Sequence, residues 1–157
     1  MSAQAQDLAR RFTEMNDAII AKVEQRSAAQ WRVPMSGEGW ALGMAAYHLA
    51  LIYDRTTSLL LAAAAGHSLP PISREIIEER NVQDAREHAD CTKEETLTLP
   101  RENGRKAAEA LGGLSDEQLQ RTTASPLFGR SWTTAELAEV VVLGHAQGHL
   151  TDFQAAR

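Results

Sequence analysis

The chain has 157 residues, with 43% hydrophobic and 24% charged residues and a formal net charge of −5. That is enough chain to bury a core as one domain over residues 1–157, and the interleaved acidic and basic residues leave no Lys/Arg stripe that would mark nucleic-acid binding. The single cysteine, Cys91, excludes an intrachain disulfide and suits a reducing, cytoplasmic setting.

The first fifteen residues lack the apolar stretch of a signal peptide. Residues 4–27 place Leu8, Phe12, Met15, Ile19 and Val23 three and four apart, which predicts an amphipathic helix. The stretch QWRVPMSGEGW then breaks this pattern with Pro34, Gly37 and Gly39 and reads as a loop. A second helix is expected over about 38–65, closed by Gly66 and the Pro70–Pro71 pair, with Ala41, Ala45, His48, Ile52 and Leu59 facing inward. This most apolar stretch is interrupted by His48, Asp54 and Arg55, which argues against a membrane span.

Ser73 reads as the cap of a third helix. Thr92 with Glu95 forms a capping-box pattern, so 73–112 is either two helices or one broken near Cys91, with Pro100 as a candidate kink. SDEQLQ at 115–120 starts a short helix. A loop holding Pro126 and Gly129 follows, and the last helix begins at Thr133 or Thr134 and runs nearly to the end. No segment alternates convincingly with period two. The expected fold class is therefore all-α, about four long helices burying one face each in a bundle, with short extra helices.

The chemistry concentrates in GHAQGHLTDFQ, residues 144–154. His145 and His149 are one helical turn apart, so both rings can reach one point and clasp a metal ion. Two solvated or core histidines would give the same pattern. Ala146 stands where a zinc-protease HExxH motif has its glutamate, which removes that reading. His48, on the expected buried face of the second helix, supplies a third nitrogen if that helix meets the last one. Three protein ligands with one open position is the catalytic rather than the structural pattern. Asp152 shares the stripe of His145 and His149, as a carboxylate orienting a ligand ring, as an alternative ligand, or as a plain surface group. Arg55, seven residues beyond His48, is the candidate for substrate binding, with a surface arginine as the alternative. His67, His88 and Cys91 read as surface or packed groups. Trp40 and Trp132 read as anchors of loops onto one end of the bundle. Gly144 and Gly148 each weaken the helix by about 1 kcal/mol relative to alanine, which implies a need for space, either for a neighbouring helix or for a ligand.

GEGWALGMAAYHLALIYD, with His48, and GHAQGHLTDFQAAR, with His145 and His149, resemble the DinB-like (DinB/YfiT) superfamily. The resemblance implies a four-helix bundle of up-down-down-up order, a metal held by His48, His145 and His149, and frequent homodimers. Nickel or zinc is the implied metal. Characterised members of that superfamily are thiol-dependent enzymes, S-transferases using bacillithiol or mycothiol and a mycothiol-dependent isomerase. The implied function is metal-dependent chemistry on a small-molecule substrate with a low-molecular-weight thiol as cosubstrate. The alternatives are a non-catalytic, stress-associated bundle that binds metal or ligand, and a plain helical interaction module.

Overall fold

The computed structural model describes residues 1–35, 39–125 and 129–156. Helix α1 (Ala3–Glu24) starts at Ser2, whose hydroxyl accepts from the Ala5 N–H. It buries Leu8, Phe12, Ile19 and Val23, as the spacing requires. A short helix α2 (Ala28–Trp31) follows, inside a stretch expected to be loop from residue 30 onward. In its Ser27–Gln30 capping box the Ser27 N–H donates to Gln30 Oε1 and the Gln30 N–H donates to Ser27 Oγ, which satisfies two otherwise unpaired donors. Trp31 from α2 packs on Gly43, where a Cβ would fall well inside the indole.

Helix α3 (Leu42–Ala64) begins later than the sequence pattern suggests, because Ala41 bridges to Pro34 as extended chain. Its deepest stripe is Leu49, Tyr53, Leu60 and Ala63, together with His48. Ile52 and Leu59, expected in the core, are only half-buried. The helical pattern places them correctly on the His48 side, but that side faces a cleft.

The region 73–112 forms two helices. Helix α4 (Arg74–Glu87) is capped by Ser73, and α5 (Lys93–Gly112) starts at a Thr92–Glu95 capping box just after Cys91. Pro100 lies buried inside α5, where its carbonyl accepts a hydrogen bond from Asn16 Nδ2. Asn16 in turn fills the space beside Gly104 on the same helix. After α6 (Asp116–Gln120) the chain departs from the all-helical expectation. Strands β1 (Thr122–Ser125) and β2 (Arg130–Thr133) pair as an antiparallel hairpin around the expected loop. Four-residue strands are too short to show convincing alternation. Gly129 has φ +63° there, and Pro126 lies outside the described residues.

The last helix is composite. A capping box of Thr133 and Glu136 opens α7 (Thr134–Leu137). A π-helical turn covers Ala138–Leu143, and α8 (Gly144–Ala155) completes it.

Direct contacts order the four long elements. Lys93 at the start of α5 donates to the Glu24 and Arg26 carbonyls at the end of α1, and Gln6 donates to the Gly112 carbonyl at the other end. Helices α1 and α5 are thus antiparallel. Trp31, just past α1, touches both Gly43 near the start of α3 and the Cys91 carbonyl before α5. Helices α3 and α5 therefore run in the same direction. Arg26 donates to the Phe153 and Ala156 carbonyls, so the final helix ends where α1 ends. The order is up-down-down-up. Helix α5 lies between α1 and α3 on one side, and the composite helix lies between them on the other. No helix among the described residues is long and apolar enough to cross a membrane.

Candidate metal centre

This topology brings the beginning of α3 and the end of α8 to the same end of the bundle. His48 is in the second turn of α3, while His145 and His149 lie on consecutive turns of α8. One ring nitrogen from each lies within 4.8 Å of the others. The Nε2 atoms of His145 and His149 are 3.1 Å apart. His48 is 3% exposed, and the two α8 histidines are more accessible, so the cluster opens outward from a buried base.

Burial, the largest cause in each case, pushes all three imidazoles down to about 4, and their mutual repulsion in the charged state adds to it. The rings are therefore neutral at pH 7, the form that ligates metal. The set fits a divalent metal in other respects too. It is all nitrogen, which suits zinc, nickel, copper or iron. Around zinc, Zn–N bonds of about 2.0–2.1 Å put tetrahedral ligands roughly 3.4 Å apart, close to the 3.1 Å between the His145 and His149 Nε2 atoms. His149 Nδ1 is buried with no hydrogen-bond partner among the described residues, so no competing network holds that ring.

His48 is held from behind by a residue that the sequence pattern does not single out. Asp84, 4% exposed on α4, places Oδ2 3.5 Å from His48 Nδ1. The contact is one of charge, because His48 Nδ1 is buried without a hydrogen-bond partner among the described residues. Burial works to raise the Asp84 pKa, but hydrogen bonding and charge from Arg55 outweigh it, and the carboxyl stays below the usual range. Arg55 grips it with two hydrogen bonds, Nη1 to Oδ2 at 2.5 Å and Nη2 to Oδ1 at 2.8 Å. Arg55 is thus on the His48 side of α3, as its spacing indicates, but both ends of its fork are engaged by Asp84. Trp40 adds an edge-on ring contact to His48, with centroids 4.8 Å apart, so it packs on the site as well as on the core.

The remaining candidates sit apart. Asp152 is exposed, and no side-chain hydrogen bond ties it to either α8 histidine among the described residues; it acts on His149 only through its charge. His88, expected to be solvated, is half-buried and stacks on Tyr47 at 4.4 Å. His67 is exposed. Cys91 is buried, and burial raises its thiol pKa. Trp132 is half-buried beneath the Arg130 guanidinium, 3.4 Å from the ring centre.

The two glycines of GHAQGHLTDFQ have separate explanations. A Cβ at Gly148 would meet nothing within 4 Å, so this position borders open space beside His149. A Cβ at Gly144 would come within 3.3 Å of the Glu139 carbonyl, which accepts the Gly144 N–H and closes the π turn. Neither glycine serves packing of a neighbouring helix.

An up-down-down-up four-helix bundle with three histidines converging at one end defines a DinB-like protein. Residues 6–147 match the family model of the mycothiol maleylpyruvate isomerase N-terminal domain, and the chain belongs to that family. His48 and His145 fall inside the match, and His149 lies just beyond it. Two solved structures share the fold. The mycothiol-dependent maleylpyruvate isomerase superposes with a TM-score of 0.75 at 14% identity, covering 98% of this chain and 63% of that one. The chain thus spans less than two-thirds of the isomerase. YfiT from Bacillus subtilis, described as a probable metal-dependent hydrolase with an unusual four-helix bundle topology, gives 0.73 at 18% identity, covering 99% and 89%. No curated protein matches the sequence.

Proposed function

We propose that residues 1–157 form one domain with metal-dependent enzyme activity on small molecules. Its metal ligands are His48, His145 and His149, and its reaction is transfer or isomerisation with a low-molecular-weight thiol as cosubstrate. The observation that carries the reading is the convergence of three neutral imidazoles, a buried His48 and the more accessible His145 and His149, on one point. A bound divalent metal would supply Lewis acidity there, lowering the pKa of a thiol or water in its open position.

The chain's own residues do the positioning. Asp84 sits 3.5 Å behind His48 Nδ1 and biases the ring's orientation through its charge, and Arg55 keeps Asp84 ionised and aimed. Trp40 closes one side of the His48 ring against water. His145 and His149 lean on the rigidity of α8, where i and i+4 spacing sets their separation. The activities attributed to the two structural relatives support the enzyme class, and the thiol comes from the isomerase alone.

Elemental analysis of untagged protein tests the site. Near-stoichiometric zinc or nickel is expected, with loss of metal from His48→Ala, His145→Ala and His149→Ala. Unchanged metal content in all three variants would refute the assignment. Turnover of a generic electrophile with a panel of thiols then separates an enzyme from a binding protein.

A further inference from the structure

The three-histidine cluster borders a cleft of about 880 Å³ through His145, the member of the cluster that lines it. That volume is in the range of small-molecule sites. Ile52 and Leu59 of α3 form its floor. Ile72 and Ile76 line one wall, and Val140 and Val141 of the π turn line the other. Ile76 and Val140 are 41% and 47% exposed, an unusual position for large apolar side chains. The π turn contributes to this directly, because its wider winding presents successive valines to the cleft.

The charged lining is sparse and nearly balanced. Arg55 is engaged by Asp84, which leaves Arg80 as the cleft's cation without an ion pair among the described residues. Asp54 lies in the same lining and opposes it. A short dianion would find no pair of free cations here and would bury no apolar surface. A compound with an extended apolar body would cover the isoleucines and valines and place its reacting end at His145.

We propose that the site takes substrates with a long aliphatic or aromatic body, seated in the cleft between α4 and the π turn, rather than short polar acids. This proposal rests on the metal-centre reading for the chemistry, but not for binding in the cleft. Because the walls are apolar, affinity should follow the apolar area removed from water. Each added methylene should tighten binding about 3–4-fold until the cleft is full.

Isothermal titration of the purified protein with straight-chain carboxylates of four to ten carbons tests this, with maleate as the polar control. Holding the carboxylate constant isolates the effect of the body. The expected result is a steady gain with chain length, no measurable maleate binding, and at least a 10-fold loss for the longest acid in Val140→Asp. Val140→Thr, nearly the same shape, guards against misfolding and should show a smaller loss in the same direction. Binding independent of chain length, or maleate binding as tightly as the longest acid, would overturn the proposal. So would sedimentation showing that native protein is a dimer that takes no acid and that Val140→Asp renders monomeric, since a second copy would then cover the cleft. Repeating the series on the His48→Ala/His149→Ala variant separates the two readings. Neither residue lines the cleft, so the length dependence should survive there even if metal is lost. Its disappearance in that variant would overturn the claim that the cleft binds by apolar contact.

Discussion

Asp84 shows how one buried charge governs the centre. It is almost fully enclosed, and Arg55 is its charged partner on the neighbouring helix. Removing Arg55 leaves that carboxylate with no compensating cation, so Arg55→Ala should lower stability by about 3 kcal/mol, read as a shifted denaturant midpoint. Asp84→Asn keeps the shape but loses the charge behind His48. Metal affinity should fall about 10–100-fold, measured by competition with a chromogenic chelator, and unchanged affinity would exclude the orienting role. Gly148 makes the opposite kind of case. With nothing near its Cβ, Gly148→Ala should add helix propensity and raise Tm by about 2–4 °C. Turnover should nevertheless fall, because the methyl group would occupy the space beside His149. A lower Tm would show that the open space around Gly148 is misread.

At the scale of elements, the π turn sets the direction of the two α8 histidines. It holds one more residue per turn than an α-helix, so it rotates α8 by about 100° relative to a continuous α-helix. Deleting Val141 would return the segment to α-helical winding. Far-UV circular dichroism should then report unchanged helix content while metal content falls. Retained metal would mean that the turn is incidental to the cluster. Helix α4 plays a complementary part. It is short on buried apolar residues, with Asp84 its buried side chain, and it reaches the bundle mainly through α3. The Arg55–Asp84 pair and the Tyr47–His88 stack hold it in place, so a polar helix becomes both a support for His48 and a wall of the cleft.

For the whole molecule, the consequence is that one end of the bundle is clamped through side chains. Helices α3 and α8 touch little of each other along their lengths. A metal held by His48 from one and by His145 and His149 from the other would join them. Because only the folded chain brings these three together, metal removal should lower Tm. A chelator added during a thermal melt should shift the native protein by several degrees and leave the triple histidine-to-alanine variant unmoved. Equal shifts in both would place the chelator's effect elsewhere.

The helices were legible because their determinants are local. Ser73 and the capping boxes of Thr92, Ser115 and Thr133 fix the helix starts, and apolar spacing fixes the buried face of α1. The His145–His149 pair was legible for the same reason, since four residues of helix fully define its geometry. The hairpin was not, because strands of four residues carry too few side chains to show a period. Nor was the π turn, whose extra residue leaves the apolar pattern of AEVVVL looking like ordinary helix. Asp84 lay in a helix with no apolar stripe to reveal an inward side. The meeting of His48 with the last helix, Arg55 turning to Asp84, and Ile52 and Leu59 facing a cleft instead of the core depend on which helices become neighbours. Local sequence sets each helix and the faces it offers. The crossing of the chain through α4, packed in three dimensions, decides which faces meet.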